Sequence, residues 1–348
     1  MVRRVVLAVP GDLATATGGY AYDRRMIAEL DARGFRVDVL ALGDGFPRPN
    51  ARTRGRALSL LASVPPERPM IVDGLALGAL PEVTALREHR LIALVHHPLA
   101  FESGLSAREA AALRESEREA LAAARRVIAT SAATGRLLTR DFAVPPDRLI
   151  VAPPGCDRVG FAHGSGSDTV ALLAVGAIVP RKGYDVLIAA LASLADLPWR
   201  LTIVGDRERD VAAAEMLAGD IRRHRLGDRV DLMGVVAPQH LAALYAAADL
   251  FVLASRFEGY GMVYAEAIAY GLPLIGTTAG AVPETVPPGA GLLVPPDDCR
   301  ALTDALRRLI TQPGERACLA AAARAAAVQL PTWAETAQRV AGAIGAAE

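Results

Sequence analysis

What most constrains this chain is its rhythm: short apolar runs alternate with longer amphipathic or alanine-rich stretches from one end to the other. In the first half the runs Val5–Val9, Arg36–Leu40, Met70–Val72, Leu91–Val95, Val127–Ala129 and Leu149–Val151 read as strands. Helices are expected between them over Tyr20–Arg33, Ala107–Ala124 and Ser131–Asp141. The second half repeats the pattern, with strands at Thr169–Val175, Arg200–Val204, Val230–Met233, Leu250–Leu253, Leu274–Thr277 and Gly291–Val294. Its helices read as Tyr184–Ala195, Asp210–His224, Pro238–Ala247, Val263–Ala269, Asp298–Leu309 and Gly314–Val328. Strands separated by helices need crossover connections, so the pattern predicts α/β units with parallel sheets covered on both faces. A length of 348 residues exceeds one comfortable core and implies two domains. Pro153-Pro154-Gly155-Cys156-Asp157, followed by the glycine-bearing stretch 160–168, reads as the join. The expected division is a first domain at 1–157, a linker at 158–168, a second domain at 169–330 and a terminal helix at 331–348. Ligands are expected at the carboxyl ends of the strands, in a cleft between the domains.

Bulk properties remove several classes of function. A hydrophobic fraction of 52% is ample for burial and argues against disorder. With 38 Lys+Arg against 38 Asp+Glu the formal net charge is zero, which gives no electrostatic reason to expect nucleic acid as a partner. The three cysteines, Cys156, Cys299 and Cys318, are far apart and form neither a disulfide framework nor a zinc pattern. They suit a reducing compartment, and a cytoplasmic location is expected. Two arginines precede the first apolar run, as in a signal peptide, but that run stops at Pro10 and reads better as a buried strand. No uninterrupted apolar stretch approaches the length of a membrane span. After the first strand stand Pro10-Gly11-Asp12 and Thr17-Gly18-Gly19-Tyr20, so the dinucleotide fingerprint is missing. Only one of the 38 basic residues is lysine, Lys182, and it is followed by Gly183-Tyr184 rather than by the serine or threonine of a Walker motif. A lone lysine amid arginines raises the question whether that position requires a compact ammonium.

The densest chemical signal runs from Ser255 to Pro273, Ser-Arg-Phe-Glu-Gly-Tyr-Gly-Met-Val-Tyr-Ala-Glu-Ala-Ile-Ala-Tyr-Gly-Leu-Pro. A strand enters a glycine-containing loop and then a helix. Gly259 and Gly261 let backbone approach a ligand, and a helix start near Gly261–Val263 offers free amides suited to an anion. Glu258 precedes that start and Glu266 lies a turn or so inside. A carboxylate repels phosphate, so the pair suits hydrogen bonds from hydroxyls, as on a sugar or ribose. Either glutamate alone reads as an ordinary surface residue; the pair in this glycine frame does not.

Glu258-x7-Glu266 in this setting resembles the signature of retaining glycosyltransferase family 4, which has the GT-B fold of two Rossmann-like domains. Four further stretches agree in order and spacing: 175–188 with Arg181-Lys182-Gly183, 201–206, 231–249, and 277–284 with Gly280 and Pro283-Glu284. The amino half matches more loosely, through Gly18-Gly19-Tyr20, His96-His97-Pro98 and 153–157, where Pro154 replaces the family's usual asparagine.

The resemblance implies transfer of a sugar from a nucleoside diphosphate, of UDP or GDP type, to an acceptor, with retention at the anomeric carbon. Catalytic roles fall on Arg181 and Lys182 against the departing phosphates, Glu258 on sugar hydroxyls, and His97 beside the sugar. His97 is placed ahead of His96, although alternation along the strand could exchange them. Gly18 and Gly19 would bring amides to the diphosphate. Donor binding would further involve Gly176, Gly205, the backbone at Gly234 and Val235 near the base, the segment Gly259, Tyr260, Gly261, Met262 and Val263, and Glu266 on the ribose. No catalytic base is evident, and the leaving phosphate oxygen would take the acceptor's proton. No acidic cluster with metal-ligand spacing appears, so neither metal nor cofactor is expected. Arg48, Arg52, Arg54 and Arg56 read as a basic loop, ordinarily solvated, that would otherwise receive an anionic acceptor or touch a membrane surface. The tail from Trp333 would form the helix that, in GT-B proteins, returns to the first domain. The acceptor, whether small molecule, lipid or glycan, and the oligomeric state stay open. The alternatives are a GT-B epimerase or phosphorylase, or a non-catalytic two-domain sugar-binding protein.

Overall fold

A computed structural model of the chain describes residues 3–102 and 104–347. They divide into two compact units, one formed by residues up to Gly155 together with those from Pro331 onward, the other by Cys156–Leu330.

The first unit holds a parallel sheet of six strands: β1 (Arg3–Val9), β2 (Phe35–Ala41), β3 (Met70–Asp73), β4 (Leu91–Val95), β5 (Arg126–Ala129) and β6 (Leu149–Val151), in the order β2-β1-β3-β4-β5-β6. Every residue of β3 and β4 is buried, which explains their unbroken apolar runs. Polar residues at the strand ends start the covering helices. The Thr17 hydroxyl accepts the Tyr20 amide and caps Gly18–Ala32, and Ser106 and Glu109 form a reciprocal box that caps Ala107–Ala123. The tail forms the helix Trp333–Ala347, packed on this unit. Trp333 meets the Tyr22 ring edge-on, and the Thr336 hydroxyl donates to the Pro153 carbonyl at 2.7 Å.

One segment departs from the sequence reading. Arg52, Arg54 and Arg56, expected with Arg48 in a basic loop, lie on a helix, Ala51–Ala62, whose start is capped by the Asn50 side chain. Its inner face is only Ala57 and Leu61, and the arginines around these two gave the stretch the look of a solvated loop. Arg48 and Arg54 are paired with Glu109 and Glu82, which lowers the free positive charge there.

The second unit repeats the architecture with β7 (Val170–Val175), β8 (Trp199–Val204), β9 (Val230–Gly234), β10 (Leu250–Val252), β11 (Leu274–Thr277) and β12 (Gly291–Val294), in the order β12-β11-β10-β7-β8-β9. Its helices bury one stripe each. In Cys299–Thr311 the buried residues are Leu302, Ala305, Leu306, Leu309 and Ile310, the spacing of one helical face. The stretch 158–168, expected as a linker, lies along this unit: Ala162 and His163 amides donate to the Tyr270 and Ala246 carbonyls, and Ser165 bonds Asp249. Among the described residues no helix is long and apolar enough to cross a membrane.

In the second unit β7 neighbours both β10 and β8, so the loops leaving β7 and β10 emerge side by side where the strand order reverses. That is where an open α/β sheet presents a ligand crevice.

Candidate active site

The loop after β7 narrows to a single tight turn, Pro180–Lys182, closed by Gly183 at φ +64°. Gly183 must reverse the chain into the helix Tyr184–Ala192, and a Cβ there would collide with the Ala254 carbonyl. Only glycine meets both demands. The loop after β10 is tied to this turn by Arg256. Its amide donates to the Arg181 carbonyl at 2.7 Å, and its guanidinium donates to the Pro180 carbonyl, to Asp185 at 2.7 and 3.1 Å and to Asp297 at 2.7 Å.

These ties bring Arg181, Lys182 and Glu258 together. Lys182 Nζ donates to Glu258 Oε1 at 2.6 Å, and the Ser255 hydroxyl donates to the same oxygen at 2.6 Å. Arg181 Nη1 donates to the Phe257 carbonyl at 2.9 Å and reaches Glu258 Oε2 at 3.4 Å. The carboxylate is only 6% exposed. Burial alone would raise its pKa, but the charges of Lys182 and Arg181, with the bonds from Lys182 and Ser255, outweigh burial and bring it down to about 2. Two cations and one anion therefore share a buried knot. The expectation had the cations on phosphate and Glu258 on sugar; here Glu258 is also their counter-ion.

The helix Met262–Ala269 starts beside this knot at Gly261, whose φ of +87° turns the preceding loop into the helix. Tyr264 anchors the helix by donating to the Leu253 carbonyl at 2.8 Å. Glu258 is fixed from behind, since its carbonyl accepts the Ala281 amide at 2.9 Å, and the Tyr260 carbonyl accepts the Thr285 hydroxyl. Gly259, Tyr260, Met262 and Val263 thus occupy the loop and helix start. Glu266 Oε2 accepts the Tyr245 hydroxyl at 2.9 Å. Burial lifts its pKa to about 7, against the pull of the Tyr245 bond, so it changes charge near neutrality.

Gly176 and Gly205 meet at the ends of β7 and β8, so close that a Cβ on Gly205 would strike the Gly176 carbonyl. The Gly205 amide donates to the Gly234 carbonyl at 3.0 Å. Gly234 ends β9 at the sheet edge, and the adjoining Val235 is 58% exposed.

In the first unit, Gly18 and Gly19 open the helix Gly18–Ala32, and Gly19 packs on the His96 ring, where a Cβ would come within 3.2 Å of Cδ2. The two histidines after β4 diverge, as alternation requires. His97 Nε2 shares a hydrogen bond of 2.6 Å with Glu102. His96 instead turns its Nε2 toward Asp23 Oδ1 at 3.5 Å and Asp73 Oδ2 at 3.6 Å. Burial lowers the His96 pKa, but the two carboxylates overcome this and raise it, while burial and then Asp23 push Asp73 up to about 7. The chain offers no local motif for this cluster. Its trace in the sequence is an acid on the buried helix face Tyr22, Asp23, Met26, Leu30, and another ending the wholly buried β3. Ser255 and Arg256 also escaped notice as functional, because their roles depend on partners far away in sequence.

Residues 21–158 match the family model described as Glycosyltransferase Family 4, and residues 169–312 match that described as Glycosyl transferases group 1. The chain is 29% identical over 307 residues to an MMP α-(1→4)-mannosyltransferase of Mycolicibacterium hassiacum, covering 83% of this chain and 73% of that one. It spans about half the length of other curated relatives, among them D-inositol 3-phosphate glycosyltransferases. A sucrose-phosphate synthase from Thermosynechococcus elongatus superposes with a TM-score of 0.83 at 23% identity, over 98% of each chain. The Anabaena protein HepE, in complex with UDP-glucose, gives 0.76 at 20% identity over 98% of this chain and 99% of that one. With one family matched in both halves, at the glycine-framed glutamates and over the full α/β architecture, the chain belongs to glycosyltransferase family 4 and has the GT-B fold.

Proposed function

We propose that this protein moves a sugar from a nucleoside diphosphate to an acceptor hydroxyl, with retention at the anomeric carbon, and that Arg181 and Lys182 rather than a metal ion meet the charge of the departing diphosphate. The observation that carries this reading is the buried Lys182–Glu258–Arg181 knot at the reversal of strand order. Fixed cations there act on charge as it develops, without reorganising in the transition state. The helix start at Gly261 adds amides of the same polarity.

On this reading the donor phosphates draw Lys182 and Arg181 toward themselves, and Glu258 exchanges part of its ion pairing for hydroxyls of the sugar. The bond from the anomeric carbon to the phosphate oxygen breaks as the acceptor oxygen bonds the same carbon. The acceptor's proton passes to the leaving phosphate oxygen. A carboxylate engaged by two cations and a serine is a weak nucleophile, which supports retention without a glycosyl-enzyme. Glu266 takes the ribose hydroxyls, and the backbone at Gly234 and Val235 meets the base. His97, held by Glu102, is the histidine offered to the sugar or acceptor, since His96 is engaged by Asp23 and Asp73. A UDP- or GDP-type donor is in keeping with the UDP-glucose held by HepE. Cysteines without disulfides agree with action in the cytoplasm.

The test is incubation with UDP-, GDP- and ADP-sugars while slow release of nucleoside diphosphate is followed. Release from one donor class is expected, lost in Lys182→Ala and kept in Arg223→Ala, a surface change. No release and no binding with any donor would refute the proposal.

A further inference from the structure

Asp23, Asp73 and His96 hold charge that the reaction above leaves unused. They come from three elements that the sheet order places together: Asp23 from the helix that follows β1, Asp73 from the end of β3 and His96 from the first position after β4. Asp23 is 0% and Asp73 2% exposed, while the His96 side chain is 20% exposed. Neither carboxylate oxygen of Asp23 closes a hydrogen bond of ordinary length, and His96 Nε2 faces the two carboxylates only at 3.5 and 3.6 Å. Two carboxyls buried this deeply are strongly unfavourable unless a positive charge or shared protons compensate them.

Some charged pairs here close to contact, as do His97–Glu102 and Lys182–Glu258, both at 2.6 Å, and others, such as Arg181–Glu258 at 3.4 Å, do not. The buried cluster is of the open kind. His96 Nε2 stays 3.5 Å from Asp23 Oδ1 and 3.6 Å from Asp73 Oδ2, and one ligand atom from each residue lies within 4.8 Å of the other two. Ligands about 2.0–2.1 Å from a tetrahedral ion stand roughly 3.3–3.4 Å apart, so two of these separations are near those around a common centre. The ligands are also held from outside. Asp73 Oδ1 accepts the Leu75 amide at 2.7 Å, leaving Oδ2 to face His96. The Thr130 hydroxyl donates to the His96 carbonyl at 3.0 Å, and the Tyr22 ring stands edge-on to the imidazole at 5.3 Å. The Leu75 bond to Asp73 is of the outer kind that orients metal ligands.

We propose that Asp23, Asp73 and neutral His96, through Nε2, bind a divalent cation of the zinc class, with water completing the coordination. Two carboxylates and a dication sum to zero charge, which removes the cost of burial. The ion ties the helix Gly18–Ala32 to the ends of β3 and β4 and so fixes the helix start at Gly19, which packs on the imidazole. It lies among residues of the first unit, whereas the cations assigned to the diphosphate belong to the second, so either reading can fail without the other.

Elemental analysis of the purified full chain tests this directly, followed by Zn2+ titration of chelator-stripped protein monitored by thermal unfolding and by the visible spectrum of a Co2+ substitute. One equivalent of metal per chain is expected, with a higher melting temperature and a tetrahedral Co2+ spectrum. Asp23→Asn, Asp73→Asn and His96→Gln should each weaken binding at least tenfold, while His97→Gln should bind as the parent does. Absence of bound metal, no response of the stripped wild-type protein to Zn2+, or Asp73→Asn binding as tightly as wild type would each overturn the proposal. Shared protons would then be the compensation.

Discussion

Breaking the Lys182–Glu258 pair should destabilise the second unit by an amount that the geometry sets. Glu258 is brought from its ordinary 4.5 to about 2, chiefly against burial and by Lys182 and Arg181. At about 1.4 kcal/mol per pKa unit, this shift corresponds to roughly 3 kcal/mol at neutral pH. At 6% exposure the carboxylate has little solvent to screen it. The sign follows from a lowered acid: the stabilisation is complete above the unfolded value near 4.5 and disappears as pH falls through about 2. Lys182→Met removes the larger part of this and should cost about 2–3 kcal/mol at pH 7, because among the described residues it leaves the buried carboxylate paired with Arg181 alone. Glu258→Gln removes the carboxylate that both cations face, and the double variant should recover part of both losses. The protein's two tryptophans make the assay specific. Trp199 is buried in the second unit and Trp333 belongs to the first, so in a Trp333→Phe background urea unfolding followed by fluorescence reports the second unit alone. A double-mutant cycle at pH 7 should give a coupling of about 2–3 kcal/mol. A coupling below about 0.5 kcal/mol would refute the buried knot as the organising contact of this site.

Two further outcomes follow from neighbouring residues. Arg256→Met should cost only about 1 kcal/mol in stability, since its partners Asp185 and Asp297 are more than half exposed, yet should raise the donor KM about tenfold by releasing the Pro180–Lys182 turn; unfolding and kinetics measured on one preparation check the split. Glu266 is protonated below about 7 and then loses acceptor capacity, so donor affinity measured calorimetrically should rise as pH increases through about 7 and become flat in Glu266→Gln.

The central strands were legible because they are buried on both faces and announce themselves as unbroken apolar runs, as at Leu91–Val95. The helix Ala51–Ala62 was not, because a stripe as thin as Ala57 and Leu61 leaves little periodic signal among arginines. The loops that meet at the reversal of strand order could be picked out from Arg181-Lys182-Gly183 and the paired glutamates. What the sequence concealed was contact. Lys182 and Glu258 lie 76 positions apart, and only the adjacency of β7 and β10 brings them to 2.6 Å. The histidine pair shows the same limit at short range: alternation separates His96 from His97, but the partners Asp23, Asp73 and Glu102 decide what each does. A buried carboxylate on a helix face was the one available sign of the Asp23 cluster.

On the proposed mechanism protein cations, not a divalent ion, stabilise the departing diphosphate. Turnover of the accepted nucleotide sugar with and without added Mg2+, in wild type and Lys182→Ala, decides between the two. Turnover should be unchanged by Mg2+ and should fall at least about 100-fold in the variant, the scale expected when a group acting on transition-state charge is removed. Turnover that depends on Mg2+ and survives in Lys182→Ala would contradict the account.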